Sequence, residues 1–487
     1  MPNNHCSVSW ALGLFFGWLL SFPFNGPAIS FLSFPDYAYL PYSTFFIITH
    51  ALSLVVLAVI PPEKISWQKY MPLNAIICLA ATIILVFPQV SGRFELVALL
   101  FCVMGIASAC FILGWCLPYT LLLPGPDRMR FMALVIVKSN LIYLVFNLVG
   151  PSLPEWAILA FLAMPLAGAA WTALKIDSVP LQINIPGPSK PDFGRFAPGF
   201  LVLLCLFVFV IYVNAGLIYS IIYPTFSEFE HIYQYFRSLP SILVLMVFVL
   251  RIVKSGNQSI VYLGISLLGF AFIFFALMPE TLVGYFITEI LFQSSFALMD
   301  LFLWVILGEL ALFYSHPYRV FGWGLAANVG AIFVGILAGS YFLQTEETYF
   351  MLTALFAFAA IFLTLLIMPP LFRRMDERPV QYSDVHEDIQ EDNWEVILKR
   401  AVDKISGSEL LTSREKEIVK LILQGDTNRD IATHLFISEN TLKTHIRNIY
   451  RKLKISQKRE LLSLALGRIK TTEEQEVEGQ DGLVQDA

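Results

Sequence analysis

The stretch NTLKTHIRNIYRKL, residues 440–453, concentrates positive charge without a single acidic residue. If it is a helix, residues three or four apart share a face, so Lys443, Arg447 and Arg451 point one way and the apolar residues the other. The apolar set is Leu442, Ile446, Ile449 and Leu453. Ammonium and guanidinium groups in such a row bind phosphates. The spacing therefore predicts a helix that lies against phosphates, as a nucleic-acid-binding helix does.

The charge of the surrounding segment agrees with that prediction. Residues 409–470 hold 13 basic and 7 acidic residues, within a chain of net charge −5. A basic domain beside a membrane also attracts anionic lipid head groups, so charge alone leaves both partners open. The order of the elements decides between them.

Four short helices are predicted around this stretch. The pair Thr412-x-x-Glu415 is a capping box that begins the first helix, and the next glycine ends it. The second helix spans Asn428–Leu435, and the third follows a three-residue turn, with Ser438 as its cap. A fourth runs from about Ser456 to Leu466. Two helices joined by a tight turn, the second of them basic, form a helix-turn-helix arrangement.

Here the sequence resembles the LuxR-type DNA-binding domain. The resemblance extends over most of residues 411–466 and rests on LTSREKEI, G-x-x-N-x-x-IA, LFIS-x-x-T-x-K-x-H and IYRKL. Departures are mild: Asp430 replaces the usual Glu, Lys454 the usual Gly, and QK at 457–458 the usual NR. The recognition helix is intact.

The resemblance implies double-stranded DNA as a partner. The third helix would present Lys443, Thr444 and Arg447 to the major groove, with Arg447 suited to bidentate contact with guanine. The residues implied as phosphate or structural contacts are Asn428, Thr441, Arg451 and Lys452. The family's dimer forms through the fourth helix, here about Lys458–Leu466, on two half-sites one helical turn apart.

Most of the chain has a different character. Of its 487 residues, 57% are hydrophobic and 14% are charged, and the mean hydropathy is +0.69. Soluble domains carry about 25% charged residues. The charges concentrate after Phe372, because residues 373–487 hold 19 of the 32 Lys and Arg and 22 of the 37 Asp and Glu. The apolar part before this break is predicted to lie in a lipid bilayer.

Twelve stretches are long and apolar enough to cross a bilayer, which requires about 20 residues. The first six are Val8–Phe24, Ser43–Ile60, Met71–Pro88, Phe94–Leu117, Phe131–Gly150 and Glu155–Leu174. The second six are Pro198–Tyr223, Phe236–Val253, Ser259–Met278, Thr281–Ile306, Arg319–Phe342 and Tyr349–Leu371.

Basic residues in the short loops predict the orientation, because they collect on the cytoplasmic side. They follow the even-numbered spans: Lys64, Lys69, Arg128, Arg130, Lys175, Lys190, Arg195, Arg251, Lys254, Arg319, Arg373, Arg374 and Arg378. The opposite side has Arg93 and Arg237. We therefore expect a multi-pass protein of the inner (cytoplasmic) membrane with both termini in the cytoplasm.

Two six-span halves, a cytoplasmic central loop and both ends inside resemble the major facilitator architecture over residues 1–371. The resemblance is one of topology, since the turn PPEKISWQKY lacks the Gly-, Asp- and Arg-rich pattern usual between spans two and three. That departure bears on active transport more than on the fold. The predicted fold class is all-α, with a twelve-helix transmembrane bundle and a small four-helix LuxR-type domain.

Ionisable side chains inside spans are energetically costly and indicate function. Lys138 lies in span five, and Glu289 and Asp300 lie in span ten. A polar cavity between the halves is predicted to bind an unknown small molecule. Its predicted lining is Lys138, Asn140, Asn214, Glu289, Gln293, Asp300 and Asn328. Alternatively, Lys138 forms a structural salt bridge with an acid, and Asp300 lies near the cytoplasmic interface.

Six segments are predicted from these patterns. They are the first membrane half 1–174, the central loop 175–197, the second half 198–371, a linker 372–408, the DNA-binding domain 409–470 and an acidic tail 471–487. No enzymatic, metal or cofactor site is predicted, since the six cysteines lack metal-ligand spacing and no nucleophile elbow or phosphate-binding glycine loop occurs.

The combination favours a membrane-bound, one-component transcription regulator whose transporter-like domain senses a small molecule. The alternative is a secondary transporter with an appended DNA-binding domain. A third interpretation, a mere membrane anchor for a constitutive DNA binder, requires far fewer than twelve spans.

Overall fold

The computed structural model describes residues 2–24, 26–35, 41–60, 67–122, 125–176, 193–225, 228–229, 236–250, 257–278, 281–311, 317–344, 349–376, 410–424, 431–432, 435, 437–453, 455 and 461. Every regular element within these ranges is a helix. The chain divides into two compact units, Met1–Arg374 and Met375–Ala487. Most of the predicted central loop and linker, and the whole acidic tail, lie outside the described residues.

The apolar region consists of twelve described helices. They are α1 Pro2–Ser21, α2 Tyr42–Val59, α3 Trp67–Ile84, α4 Phe94–Leu122, α5 Gly125–Val149, α6 Glu155–Leu174, α7 Phe193–Leu217, α8 Leu239–Val249, α9 Asn257–Leu277, α10 Leu282–Ala311, α11 Pro317–Leu343 and α12 Tyr349–Asp376. Short segments are Pro27–Phe31 and Gly150–Ser152 (3-10), Pro88–Ser91 and Tyr223–Thr225 (α), and the π-helix Ile218–Ile222 that continues α7.

Nine of these helices are long and apolar enough to span a bilayer, and the apolar parts of α1, α3 and α8 are shorter. Each predicted span thus coincides with one of these helices, and nine of the twelve reach spanning length within the described residues. Several boundaries differ from the prediction. Helix α5 starts six residues before Phe131, at Gly125, and α10 continues past Ile306 to Ala311. Hydropathy marks only the residues in hydrocarbon, whereas a helix continues for as long as its backbone hydrogen bonds can form.

The two six-helix halves repeat the same packing. Helix α1 packs on α5 as α7 packs on α11, α3 packs on α4 as α9 packs on α10, and α2 packs on α4 as α8 packs on α10. The halves meet mainly through α2 with α11 and α5 with α8. Helices α2 and α8 hold equivalent positions in the two halves, and so do α5 and α11. The two contacts are therefore equivalent, and the interface follows the symmetry of the repeat.

Glycines permit a close helix crossing between α7 and α11. A Cβ at Gly335 would overlap the Val213 carbonyl oxygen, and a Cβ at Gly216 would overlap the Ile332 carbonyl oxygen. The two backbones can approach this closely only because neither glycine has a side chain. Small residues at such crossings supply the van der Waals contact that holds helices together in lipid.

The second unit contains α13, Ser413–Gln424, and α14, Glu439–Lys452. Their apolar faces share one core with residues before, between and after them. It comprises Leu411, Ile418, Val419, Leu421, Ile422, Ile431, Ala432, Leu435, Leu442, Ile449, Leu453 and Leu461. Ile446, expected inside, is only partly buried against this core.

We predict that Gly335→Ala destabilises the membrane domain, because the added methyl group forces α7 and α11 apart. Overpacking of this kind costs roughly 1–3 kcal/mol. Thermal unfolding of the detergent-purified full chain measures the effect. Gly330→Ala on the same helix is the control, since a Cβ at Gly330 would meet no heavy atom within 4 Å. Equal unfolding temperatures for the two variants would contradict the close crossing.

Candidate DNA-binding surface and ligand cavity

The predicted capping box begins α13. The backbone N–H of Thr412 donates to Glu415 Oε2 at 2.8 Å, and the N–H of Glu415 donates to Thr412 Oγ1 at 3.3 Å. These reciprocal bonds satisfy two N–H groups that the start of a helix leaves without intrahelical partners. The helix ends at Gln424, directly before the glycine that was expected to stop it.

The Glu415 carboxylate also ties α13 to the end of α14. Lys452 Nζ donates to Glu415 Oε2 at 2.6 Å, with side chains 30% and 6% exposed. Burial by itself raises the pKa of the Glu415 carboxyl, but the hydrogen bonds from Lys452 and Thr412 outweigh it and hold the pKa below its ordinary value. Lys452, expected as a phosphate or structural contact, thus joins the two helices in this structure.

Two further bonds set the turn before α14. Arg414 Nη2 donates to the Leu435 carbonyl oxygen at 2.6 Å. Ser438 Oγ accepts the Thr441 N–H at 3.1 Å, which confirms Ser438 as the cap of α14. Thr441, another of the expected contacts, is therefore the hydrogen-bond partner of the cap.

The outward face of α14 is basic and exposed. Lys443, Thr444, Arg447 and Arg451 are all exposed, while Leu442 on the opposite face is buried. Thr444 Oγ1 donates to the Asn440 carbonyl oxygen at 3.1 Å, and Arg451 Nη2 donates to Asn448 Oδ1 at 3.2 Å. Lys443 and Arg447 project from this face at a four-residue spacing, which places them one helical turn apart. The helix can thus offer both side chains to a nucleic-acid groove.

Parts of the expected DNA-binding machinery lie outside the described residues. Asn428 is one of them, and so is the proposed dimer helix Lys458–Leu466 apart from Leu461. Leu461 is fully buried in the core of its own domain.

In the membrane unit, a cavity of about 240 Å³ lies between the two halves. Helices α1, α2, α4 and α5 line it from one half, and α7, α8, α10 and α11 line it from the other, together with the π-helix of Tyr219. Its wall is rich in aromatic rings: Phe16, Phe24, Tyr212, Tyr219, Tyr223, Phe292, Phe296 and Trp304. Concave, largely apolar spaces with a few polar groups are the usual form of small-molecule sites.

Asp300 supplies a carboxylate to this cavity. Its Oδ1 accepts a hydrogen bond from the Tyr212 hydroxyl at 2.6 Å. Within the described part of the chain, no Lys or Arg side chain lines the cavity. His50 also lines it, and its Nδ1 lies 3.1 Å from the Gly105 carbonyl oxygen, so Nδ1 carries the proton.

A second polar cluster surrounds Gln293. Ser241 Oγ donates to the Gln293 carbonyl oxygen at 3.0 Å, and Gln293 Nε2 lies 3.3 Å from the Tyr223 hydroxyl and 3.5 Å from Glu289 Oε2. Glu289 is fully buried one turn from Gln293. The contact with Gln293 thus links Glu289 to the cavity wall.

The structure separates the seven predicted lining residues. Asn140, Gln293, Asp300 and Asn328 line the cavity. Asn214 is fully buried in α7, where its Nδ2 donates to the Ile211 carbonyl oxygen at 3.1 Å. Lys138 lines a different cleft, described below.

Sequence reasoning overlooked His50, Tyr212, Tyr219 and Tyr223, which also line the cavity. A signal for the tyrosines was available. A hydroxyl in the middle of an apolar span needs a hydrogen-bond partner, so a tyrosine there has to face a polar group. The cavity aromatic residues Phe292 and Phe296 gave no such signal, because aromatic residues also pack against lipid.

Next to the cavity, aromatic residues around Trp304, here called the aromatic floor, connect the two halves. Trp304 on α10 packs edge-on against Trp115 on α4, with ring centroids 5.8 Å apart. The Tyr119 hydroxyl donates to the Trp304 carbonyl oxygen at 3.0 Å, and Arg128 lies over the Tyr119 ring at 5.6 Å. The two halves are thus in direct contact beneath the cavity.

Comparison with known proteins supports both units separately. Residues 409–465 match the family described as bacterial regulatory proteins, luxR family. The chain is 47% identical over 58 residues to the CsgBAC operon transcriptional regulatory protein of Escherichia coli, covering 12% of this chain and 27% of that protein. It is 52% identical over 50 residues to the transcriptional regulatory protein LiaR of Bacillus subtilis, covering 10% and 24%. The match thus spans about a quarter of each relative.

The membrane unit is similar to a transporter of known structure. The human organic anion transporter MFSD10 (TETRAN) superposes with a TM-score of 0.56 at 15% identity, covering 75% of this chain and 99% of that one. At this identity the similarity shows the fold alone. Residues 409–465 thus match the luxR family, and most of the chain shares its fold with that transporter.

We predict that acid weakens the helix-turn-helix domain through Glu415. Its pKa is depressed on folding, so the stabilisation is present above the ordinary value of 4.5 and is lost as the pH falls through the lower folded value. Glu415→Gln should be less stable at pH 7 and lose less stability in acid. Urea unfolding of residues 405–470 followed by circular dichroism measures this. Glu417→Gln, on the same helix with a side chain 48% exposed, is the control. A Glu415→Gln variant with an unchanged pH dependence would refute the assignment.

Proposed function

We propose that this chain, a LuxR-type DNA-binding domain joined to a membrane domain of the major facilitator fold, is a membrane-bound one-component transcription regulator. Its membrane domain senses a small molecule, and its C-terminal domain reads DNA. The observation that carries the proposal is the exposed basic face of α14 on a chain that also encloses a cavity with a carboxylate. On this proposal the chain is not an enzyme.

The DNA contacts follow from the exposed face of α14. Arg447 is placed for bidentate contact with a guanine edge, and Lys443 for a base edge or a phosphate. Arg451 is placed for a phosphate, whereas Lys452 is engaged by Glu415 and acts by holding α14 in position. Asn428 remains a proposed phosphate contact, and dimerisation through the fourth helix a proposed means of reading two half-sites.

DNA access requires the C-terminal domain to lie in the cytoplasm. The basic residues of the loops after even-numbered spans support this placement, in the inner membrane with both termini inside. Two of them also have structural roles: Arg128 contacts Tyr119, and Arg130 Nε donates to the Val249 carbonyl oxygen at 2.9 Å. That bond links α5 to the end of α8, which belongs to the other half.

The cavity favours a small organic cation. Aromatic rings attract cations through their faces, and a carboxylate adds a charge-assisted hydrogen bond. Asp300 has Tyr212 as its hydrogen-bond donor and, within the described residues, no ion-pair partner. A ligand with an aromatic or apolar body and one ammonium group would match both features.

Regulation then requires two arrangements of the halves. A ligand shifts such an equilibrium only as far as it binds one arrangement more tightly than the other. The contacts that would change are α2 with α11, α5 with α8, and the aromatic floor around Trp304. Helix α12 leads into the linker, so its movement would alter the availability or dimerisation of the DNA-binding domain.

The alternative is a secondary transporter with an appended DNA-binding domain. The fold shared with a transporter and the cavity between the halves favour it. The two proposals differ in whether the ligand crosses the membrane.

The DNA arm is tested by a genome-wide footprint in cells with the intact protein, Arg447→Ala and Arg447→Lys. We expect discrete sites for the intact protein and their loss in Arg447→Ala. Arg447→Lys should lose sequence preference while retaining weaker binding, because lysine keeps the charge but cannot pair bidentately. Losing a bidentate base contact costs about 1–3 kcal/mol. No discrete sites under any growth condition would overturn the regulator proposal.

The sensing arm is tested at Asp300. A reporter driven by a footprinted site is measured against a panel of small organic amines, in parallel with uptake of the same compounds. Asp300→Asn should shift the response to about tenfold or higher concentration, because a hydrogen bond to a charged group is worth about 1.5–3 kcal/mol. Glu309→Gln, an acidic residue of the same helix that does not line the cavity, is the control and should leave the response unchanged. Uptake by the intact protein that is lost in Asp300→Asn together with the response indicates a transporter. An unchanged response in Asp300→Asn contradicts the proposed ligand class.

A further inference from the structure

Lys138 lies away from the central cavity, at the outer side of the first half. Its Nζ donates to Ser9 Oγ at 2.7 Å and lies 4.1 Å from the centroid of the Trp10 ring. Both partners belong to α1. The ammonium is thus directed at the amino-terminal turns of α1, away from the interface between the halves.

This ammonium has no carboxylate partner among the described residues. Two salt bridges among these residues join Arg414 to Glu417 and Lys452 to Glu415, and Lys138 itself contacts Ser9 and Trp10. The structural salt bridge considered from the sequence is therefore not formed within the described part of the chain. A hydroxyl and an aromatic face leave the positive charge uncompensated, which is costly inside a membrane.

The position of Lys138 is fixed by packing. A Cβ at Gly13 of α1 would lie 3.0 Å from the Lys138 Cβ and 3.4 Å from its Cδ. The stem of the lysine therefore crosses α1 directly over a glycine. One turn further along, a Cβ at Gly17 would lie 2.7 Å from Ile142 Cβ. Helices α1 and α5 therefore pack closely here, with the aliphatic stem of Lys138 in the contact.

An apolar cleft of about 350 Å³ extends from this charge. Its lining is apolar apart from Lys138: Trp10 and Leu14 from α1, Leu141, Ile142 and Val145 from α5, and Phe161, Met164 and Pro165 from α6. Each set follows helical spacing, so three faces converge on one cleft. From Lys138 to Val145 the cleft follows α5 for about 10 Å, the length of several methylene groups.

The cleft opens on the surface of the bundle. Met164 is 66% exposed and Trp10 is 40% exposed, so both would contact lipid in a bilayer. Ser9 and Trp10 lie about two turns into α1, which begins at Pro2. The long side chain of a lysine inside a span can extend its ammonium toward the head groups of the nearer leaflet.

We propose that this cleft is a binding site for an anionic phospholipid of the bilayer. One acyl chain lies in the apolar cleft between α1, α5 and α6, and the phosphate accepts a hydrogen bond from Lys138 Nζ. The lipid then supplies the counter-charge that the protein lacks, and Trp10 covers the ammonium from the other side. The site is separate from the central cavity and does not depend on DNA binding.

The test measures lipid retention by native mass spectrometry of the full chain in detergent. Phosphatidylglycerol and phosphatidylcholine with the same acyl chains are titrated separately, and oleate is titrated as a free fatty acid. The intact protein should retain phosphatidylglycerol in preference to phosphatidylcholine. Lys138→Met should reduce that preference about tenfold or more, because the charged partner is lost.

Two variants separate the site from general effects. Lys175→Met removes a similar pair, since Lys175 Nζ lies 4.7 Å from the Trp171 ring centroid, and should leave the preference intact. Met164→Trp fills the apolar cleft and should reduce phosphatidylglycerol retention although Lys138 is present. Lys138→Arg should fold and keep the preference.

Four results would overturn the proposal. The first is equal retention of the two phospholipids by the intact protein. The second is an unchanged preference in Lys138→Met. The third is retention of oleate without phosphatidylglycerol, which would assign the cleft to free fatty acids. Loss of the preference in Lys175→Met to the same extent as in Lys138→Met would equally reject a specific site at Lys138.

Discussion

Hydrocarbon offers no hydrogen bond and no counter-charge, and the membrane unit of this protein is organised by that constraint. Its backbone forms helices, which satisfy their own N–H and C=O groups. Without a hydrophobic force between helices, close contact has to hold them, and the glycines of α7 and α11 provide it. The few charged side chains are then placed where another group can meet them. Asp300 faces a cavity, and Lys138 faces a cleft at the lipid surface.

Asp300 and Lys138 therefore give the central cavity and the lateral cleft opposite charges. The cavity between the halves has an acidic group among aromatic rings, where a bound molecule would bridge helices of both halves. The lateral cleft has a basic group among aliphatic side chains of the first half alone. On the proposals above, a ligand in the cavity would favour one arrangement of the halves, whereas a lipid in the cleft would hold together three helices of one half.

The C-terminal domain differs from the membrane unit, because its exposed charges can be solvated by water and its buried charge is paired. A single buried carboxylate, Glu415, caps α13 and also binds Lys452 at the end of α14. Both bonds fix how the second helix of the pair presents its outer face. Arg447 and Lys452 have the same charge on the same helix, yet one is exposed and the other is held by Glu415. The two side chains are five residues apart, which turns them toward different faces of the helix, so one is free to contact DNA and the other packs against α13.

For the described residues, the sequence by itself determined the positions of the membrane helices, the cap at Ser438 and the basic face of α14, because each depends on neighbours within a few turns. Hydropathy and capping are local properties, and the LuxR-type motifs are dense. Only the tertiary structure decided that Asp300 meets Tyr212 and that Lys138 turns to Trp10. Both are ionisable residues inside spans, where a charge has a similar energetic cost, so the sequence pattern predicted the same cavity for both. Which face of a helix meets which neighbour depends on packing between residues far apart in the chain, and no local pattern records it.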